Sequence, residues 1–305
     1  MKNYIWLISL IAINFSCVSE SDDSKLDQET ILQTENVELN FSIEQLSNGL
    51  ECEDVFLSKE GGKIKEEVTF GDKISMNFQN IKGLNCPNNK CEIDMMFLFS
   101  TLDGDTLDYY PFGSIPPIID SNEVRNHPEL STYCFIVSPT FSGESYYFTS
   151  GLRDKNSGNE VIGKSKITVK ENGYIHFDKN GLNCREAFVY DPVENYYITD
   201  NTIKKNRDYD FALNGVEGFK LDGGKANLGI RLKMSNDEEN DPFDSGDLVT
   251  ASDGLVNFSD INELLSIDFV VHEDFQYSSI HVEVEVWDKN SDASITYWSD
   301  FTVID

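Results

Sequence analysis

One pattern of residues occurs twice in this sequence, and the duplication limits the possible folds more than any other feature. Gly49-Leu50-Glu51-Cys52 returns as Gly181-Leu182-Asn183-Cys184, and Asp154-Lys155-Asn156-Ser157 returns as Asp288-Lys289-Asn290-Ser291. Apolar blocks between these markers match in the same order, at separations of 131 to 135 residues. A period far above 50 residues predicts two copies of one domain and not a solenoid of small units.

Most matched blocks alternate apolar and polar residues with a period of two, as in His281–Val286 with its three valines on one face. This period is typical of β-strands with one buried face. Asp-Gly-Asp, Asp-Gly-Gly and Asp-Lys-Asn-Ser turns separate the blocks. Many short strands per copy predict an all-β chain with two tandem immunoglobulin-like antiparallel β-sandwiches, the first over 38–171 and the second over 172–305.

The N-terminal segment has the pattern of an export signal. Lys2 precedes an apolar run from Tyr4 to Phe15, which is too short to span a bilayer and has the length of a signal-peptide core. The small residue Ser16 and then Cys17 follow, and this arrangement resembles the lipobox of bacterial lipoproteins. The resemblance implies a signal peptide over 1–16 and acylation of Cys17. Because Asn14 stands where that family usually has an aliphatic residue, ordinary signal cleavage is the alternative.

Residues 17–37 have the composition of a flexible acidic tether behind the lipidated cysteine. Within them, Ser19 to Asp23 resembles the acidic export signal of Bacteroidota lipoproteins, which implies attachment to the outer membrane, facing the extracellular side. The whole chain has 54 acidic and 24 basic residues, a net charge of −30. That charge repels nucleic acid and anionic headgroups, so we assign membrane attachment to the lipid on Cys17.

Five cysteines remain beyond Cys17, and export permits disulfides. Cys86 and Cys91 flank a Pro-Asn-Asn-Lys turn, and we predict a local disulfide between them. Cys52 and Cys134 form a possible second bridge within the first copy. Asp268 is expected at the position of Cys134 in the second copy, which leaves Cys184 without that partner.

Sequence motifs for catalysis are missing: the chain has no G-x-S-x-G, no H-E-x-x-H and no Gly-rich phosphate loop. The four histidines, His127, His176, His272 and His281, fall in different predicted elements, so we predict no enzyme activity. Asp103, Asp105 and Asp108 are weak candidates for calcium, which binds clustered loop carboxylates. The alternative is a hydrated hairpin tip, and no cofactor is predicted.

The last hairpins of the two copies differ on their predicted outer face. The alternation places Trp287 and Trp298 there, and the Asp-Lys-Asn-Ser turn is expected to bring the two rings together across the strands. In the first copy the same positions hold Arg153 and Lys164. Exposed aromatic residues indicate a contact surface, so this pair is the candidate binding surface. Packing of the rings under a neighbouring domain or loop is the alternative.

These features favour a non-catalytic cell-surface lipoprotein that acts through protein–protein contacts. We expect an accessory subunit of an outer-membrane transport, secretion or protein-insertion complex, with a surface or outer-membrane protein as its partner. The alternative is a surface glycan-binding lipoprotein of a polysaccharide-uptake system, for which an exposed, coplanar tryptophan pair would serve as the sugar platform.

Overall fold

The computed structural model describes residues 43–59, 62–64, 67–113, 118–120, 129–137, 139–236, 242–249 and 255–305. The predicted signal peptide, Cys17 and the acidic tether over 17–37 lie outside these residues. Ile43–Asp305 form one compact unit. Within the described part of the chain, no helix combines the length and the apolar character needed to cross a bilayer.

The first copy folds into two sheets that enclose one core. The larger sheet has the strand order β1-β11-β10-β6-β7, with β4 beside β11 and β8 beside β6, and the smaller sheet has the order β3-β2-β5-β9. Its strands are β1 (Ile43–Asn48), β2 (Asp54–Lys59), β3 (Gly62–Ile64), β4 (Glu67–Thr69), β5 (Lys73–Gln79), β6 (Lys90–Thr101), β7 (Thr106–Tyr110), β8 (Ile118–Asp120), β9 (Glu129–Phe135), β10 (Ser145–Asp154) and β11 (Glu160–Lys170).

The second copy repeats this topology strand for strand. Its larger sheet has the order β12-β22-β21-β17-β18, with β15 beside β22 and β19 beside β17, and its smaller sheet has the order β14-β13-β16-β20. The predicted all-β fold of two tandem sandwiches is therefore confirmed. Its elements are β12 (His176–Asn180), β13 (Glu186–Asp191), β14 (Tyr196–Ile198), β15 (Thr202–Lys204), β16 (Arg207–Asn214), β17 (Lys225–Asn236), β18 (Phe243–Asp244), β19 (Leu255–Asn257), α1 (Phe258–Glu263), β20 (Leu265–Val271), β21 (Ser279–Asp288) and β22 (Ser294–Ile304).

The alternation along each strand decides which side chains form the cores. In β21, Val282, Val284 and Val286 are buried between the sheets, while the residues between them are half-buried on the outer face. Complete burial of such a side chain stabilises the fold by about 1.5–3 kcal/mol. Because all three valines share one parity, a one-residue slip of this strand would expose them, and the core fixes its register.

A buried aspartate closes the last hairpin of both copies and explains the repeated Asp-Lys-Asn-Ser sequence. The carboxylate of Asp288 accepts hydrogen bonds from the backbone N–H of Lys220 (2.9 Å) and Asn290 (3.0 Å) and from the hydroxyl of Ser291 (2.7 Å). In the first copy Asp154 accepts the corresponding bonds from Asn85 (2.6 Å), Asn156 (3.0 Å) and Ser157 (2.7 Å). Since a buried carboxylate needs such donors, the turn sequence is retained.

The two copies pack against each other along the smaller sheet of the second. The Phe70 ring stacks on Phe188 with a centroid distance of 5.3 Å and meets Tyr197 edge-on at 5.7 Å. Glu186 accepts a 2.8 Å hydrogen bond from the backbone N–H of Ser142. Phe188 belongs to the same buried cluster as the core of the first copy. Each sandwich keeps its own core, and the contact buries the outer face of the second copy's smaller sheet against the first copy. The sequence did not predict this contact.

The predicted local disulfide is confirmed, since the sulfur atoms of Cys86 and Cys91 lie 2.01 Å apart. Cys52, Cys134 and Cys184 are thiols, so the possible Cys52–Cys134 bridge is not formed.

The expected equivalence of Cys134 and Asp268 is wrong by one residue. Cys134 pairs with Ile74, and the counterpart of that pair in the second copy is Phe269 with Tyr209. The core therefore holds Phe269, while Asp268 lies on the other face of β20.

Candidate functional site

A shallow groove of about 380 Å³ crosses the outer face of the larger sheet in the second copy. It lies on the polar side of the strand alternation, opposite the buried valines of β21. We call it the Trp298 groove. It is lined by Asp178, Lys233, His281, Glu283, Glu285, Thr296 and Trp298.

The strand register arranges most of these side chains in two rows that cross β12, β22, β21 and β17. The row that contains the tryptophan runs His176, Trp298, Glu283, Lys233. The neighbouring row runs Asp178, Thr296, Glu285, Arg231. Since directly opposed side chains on neighbouring strands lie about 4.5–5.5 Å apart, the groove presents a compact set of polar groups beside one indole.

Trp298 is half-buried, and its indole lies against the His176 ring with a centroid distance of 5.8 Å and an interplanar angle of 40°. On its other side Glu283 binds Lys233, with 2.6 Å between carboxylate oxygen and Nζ. His281 Nδ1 lies 2.8 Å from a carboxylate oxygen of Asp300. These neighbours hold the indole against the sheet as one wall of the groove.

Charged groups of the neighbouring row are only partly matched. Arg231 binds Asp244, and its hydrogen bonds hold the pKa of that carboxyl well below its usual range. Arg231 also approaches Glu285, at 3.9 Å. Within the described residues, Asp178 and Thr296 make no side-chain hydrogen bond or ion pair. They are the hydrogen-bonding groups of the groove that are available to a ligand.

The first copy provides an internal control, because it has the same sheet with other residues at the groove positions. The strand register aligns the seven lining positions with different residues at every position, and apolar residues replace both members of the Asp178–Thr296 pair. The equivalents are Leu46, Leu98, Tyr147, Thr149, Gly151, Ile162 and Lys164, in chain order. The fold therefore does not need the groove residues, and their chemistry requires another explanation.

Trp287 and Trp298 both lie on the outer face, but the predicted contact between their rings is not formed. Trp287 pairs with Ser294, whereas Trp298 pairs with Glu283. The two tryptophans are therefore four residues apart along the hairpin, which is about 13 Å. The indole of Trp287 instead lies directly on Gly229, where any Cβ atom would overlap the ring. Trp298 contributes to the groove and Trp287 does not.

The candidate calcium ligands do not converge. Asp103 and Asp105 lie in the exposed turn between β6 and β7, whereas Asp108 lies on β7 opposite Phe99. Burial raises the pKa of the Asp108 carboxyl, which disfavours its charged form. Nowhere in the described segments do three His, Cys, Asp or Glu side chains gather in a way that could hold a metal ion.

Two of the four histidines reach the Trp298 groove, which the sequence did not predict. His281 lines it and His176 packs on Trp298, while His127 lies outside the described residues. Both have the outward parity of their strands, and this is the available sequence signal. Parity does not show that β12 and β21 flank the same strand.

A second exposed surface lies on the smaller sheet of the first copy, and we call it the aromatic face. Tyr133 and Phe135 are 54% and 42% exposed and meet edge-on at 6.2 Å. The ammonium of Lys73 lies 4.0 Å from the centroid of Tyr133, and that of Lys63 lies 3.9 Å from the centroid of Phe56. Such clustered exposed rings are typical of a protein contact surface.

Comparisons with known proteins give no family. No family model matches the chain. An uncharacterized protein of Aquifex aeolicus (strain VF5) is 30% identical over 125 residues, which is 39% of this chain and 46% of that protein. The chain thus spans less than half of that relative's length.

The similar solved structures are distant. The red sea bream transglutaminase is 8% identical with a TM-score of 0.24, and the match covers 82% of this chain and 31% of the transglutaminase. A DUF3823 family protein from Bacteroides ovatus is 10% identical with a TM-score of 0.20, over 73% of this chain and 93% of that protein. The structure named pT26-6p is 8% identical with a TM-score of 0.25, over 87% and 66% of the two chains.

Proposed function

We propose that this chain is a non-catalytic cell-surface lipoprotein that acts by binding another protein, as an accessory subunit of an outer-membrane assembly. The aromatic face of the first copy is the observation that carries the proposal. In this proposal the protein is anchored by a lipid on Cys17 and lies on the extracellular side of the outer membrane. The support for that location is the lipobox-like sequence and the acidic residues behind it.

The second copy shows what kind of protein surface covers such a face. There the equivalent sheet is capped by loops of the first copy, with Phe70 stacked on Phe188 and the Ser142 N–H bound to Glu186. The register aligns Phe188 with Phe56 and Glu186 with Asp54. The first copy therefore has a phenylalanine and a carboxylate at the same two positions, both half-buried, and Lys63 contacts both of them.

The partner inferred from this match is a protein loop that presents an aromatic side chain next to a free backbone N–H. Lys73 adds a preference for a carboxylate beside that loop, because its ammonium lies over Tyr133 and no ion pair with it is found among the described residues. Aromatic anchors of this kind commonly dominate the binding energy of protein interfaces.

The three thiols also support a role without catalysis. Burial raises the pKa of Cys52 and of Cys184 to about 11, and it raises the pKa of Cys134 further. A nucleophilic cysteine needs the opposite shift, towards a thiolate at neutral pH.

Site-specific photo-crosslinking on intact cells tests the proposal. A photoreactive residue in place of Tyr133 is expected to trap one discrete outer-membrane protein, and Phe56→Asp is expected to abolish the product. The same residue in place of Val193, which is 67% exposed on the second copy, is the matched control. Crosslinks from both positions to many proteins alike, or none from position 133, would contradict the proposal.

The alternative is a surface glycan-binding lipoprotein. Trp287 and Trp298 are too far apart to form the two-ring platform that this alternative expected. A single-ring form of it is favoured by the Trp298 groove and is argued next.

A further inference from the structure

We propose that the Trp298 groove binds an uncharged saccharide, with one sugar ring stacked on Trp298 and its hydroxyls bound by Asp178 and Thr296. This activity goes beyond the protein contact proposed above, and it uses a different copy and a different sheet.

Trp298 supplies the apolar part of such a site. Its half-buried indole is fixed between His176 and Glu283 on the neighbouring strands, so little side-chain entropy is lost when a ligand binds. A sugar ring has an apolar C–H face that stacks on a flat aromatic side chain. Ligand sites typically combine such an aromatic wall with a few well-placed polar groups.

Asp178 and Thr296 supply the polar part. They face each other directly across β12 and β22. Thr296 lies two residues from Trp298 on the same face, which corresponds to about 7 Å. That spacing matches one sugar ring lying on the indole with its hydroxyls directed at the Asp178–Thr296 pair. Hydrogen bonds from hydroxyls to an ionised carboxylate are stronger than those between neutral groups.

The charges of the groove exclude acidic ligands. Glu283 is matched by Lys233 at 2.6 Å, and Glu285 lies 3.9 Å from Arg231. The carboxylate of Asp178 is unmatched within the described residues. A uronate, sulfate or phosphate group placed beside it would be repelled, whereas an uncharged sugar meets no such penalty.

The first copy is expected to lack this activity. Lys164 replaces Trp298, while Leu46 and Ile162 replace Asp178 and Thr296. The three equivalent positions therefore hold no aromatic ring, no carboxylate and no hydroxyl, and the chain is expected to bind one sugar unit per molecule.

Tryptophan fluorescence tests the inference directly. Trp6 lies in the predicted signal peptide, so Trp287→Phe leaves Trp298 as the only tryptophan of the mature chain. The mature protein is titrated with four soluble neutral polysaccharides, namely dextran, mannan, laminarin and galactan, and with alginate as the polyuronate. We expect a saturable change in emission with at least one neutral polysaccharide and none with alginate.

Calorimetric titration of the chain with both tryptophans then assigns the site. Asp178→Ala is expected to weaken binding about tenfold and Trp298→Ala to abolish it, while Lys164→Ala on the equivalent face changes nothing. Because Asp178 is exposed on an edge strand, its substitution is not expected to disturb the fold. Asp178→Ala therefore tests the site even if the Trp298→Ala variant does not fold. No saturable change with any of the four neutral polysaccharides would overturn the inference. Wild-type affinity in Asp178→Ala would also overturn it, and neither result affects the Tyr133 crosslink.

Discussion

The two copies share their strand order and their turn carboxylates, yet a buried ion pair at the same position has opposite polarity in each. In the first copy Lys59 binds Asp72 at 2.5 Å, and in the second Asp191 lies 3.5 Å from Arg207. The register places Lys59 where Asp191 stands, and Asp72 where Arg207 stands. Both copies thus place two opposite charges at this position, with the two signs exchanged between the strands.

The outer faces differ more deeply than the ion pair. The first copy exposes an aromatic face on its smaller sheet, while the second covers the equivalent face with the first copy and has the Trp298 groove on its larger sheet. Packing between the sheets therefore constrains the inward-facing residues of both copies. The outward-facing residues are not constrained in this way, so each copy can carry a different binding surface.

The largest loss of stability is expected when one charge of the Lys59–Asp72 pair is reversed. Asp72 is almost fully buried, so Lys59→Asp is expected to lower the free energy of unfolding by about 4 kcal/mol, because two carboxylates then share one buried site. The double variant Lys59→Asp with Asp72→Arg copies the polarity of the second repeat and should recover most of that loss in urea unfolding. A double variant as unstable as the single one would show that the copies are not interchangeable here.

Removal of the ring that joins the copies is expected to have the next largest effect. Phe188 is 8% exposed and stacks on Phe70, so Phe188→Ala should cost about 3 kcal/mol and leave the two sandwiches to unfold separately. The matched control is Phe56→Ala at the equivalent, half-buried position, with an expected cost below about 1 kcal/mol. If thermal unfolding showed that the two variants lose the same free energy of unfolding, the contact between Phe188 and the first copy would not be stabilising.

Removal of the turn carboxylate is expected to destabilise the two copies to the same extent. Asp154→Ala and Asp288→Ala each leave several backbone N–H groups without an acceptor, and each is expected to cost about 2 kcal/mol in urea unfolding. Asp292→Ala, in the exposed part of the same turn, serves as the neutral control. A loss confined to one copy would show that the repeated turn sequence has different roles.

Asp288 also has a predictable pH dependence. Burial opposes its ionisation, but the hydrogen bonds from Ser291 and from the backbone of Lys220 and Asn290 hold the pKa of Asp288 below its usual range. Its contribution to stability is therefore present above the unfolded-state value, about 4, and is lost as the pH falls through the folded-state value. Asp288→Ala should accordingly destabilise the protein less at pH 2 than at pH 7.

The smallest effect concerns a carboxylate found in the second copy alone. Burial, with a hydrogen bond to Asp268, raises the pKa of Asp210 to about 7; Ser75 takes its place in the first copy. Because the folded state holds this proton more tightly, stability falls as the pH rises from about 4 to 7. Asp210→Asn should stabilise the protein by about 1 kcal/mol at pH 8, a value reduced for solvent screening, and have no effect near pH 4. Ser75→Asn is the control.

Alternation along the strands was sufficient to predict the fold class and the outward direction of Trp287 and Trp298. It was not sufficient to predict register. The turn after Asp288 sets Trp287 opposite Ser294, so the two indoles share a face without touching. Parity likewise marks His176 as outward without showing that β12 lies beside β22.

The contacts between the two copies could not be predicted from the sequence either. Phe188 has the pattern of any strand aromatic residue, and nothing in its neighbourhood distinguishes it from Phe56, which occupies the same place in the first copy. The difference between a covered and an exposed ring arises from how the two sandwiches pack. The local Cys86–Cys91 bridge was predictable because both cysteines flank one short turn.

Differential scanning calorimetry of the mature chain tests most directly the claim that two copies of one sandwich form a single cooperative unit. The buried contact between the two sandwiches predicts one transition, with equal calorimetric and van't Hoff enthalpies, and predicts that Phe188→Ala splits it in two. Two separate transitions in the unmodified protein would contradict this account.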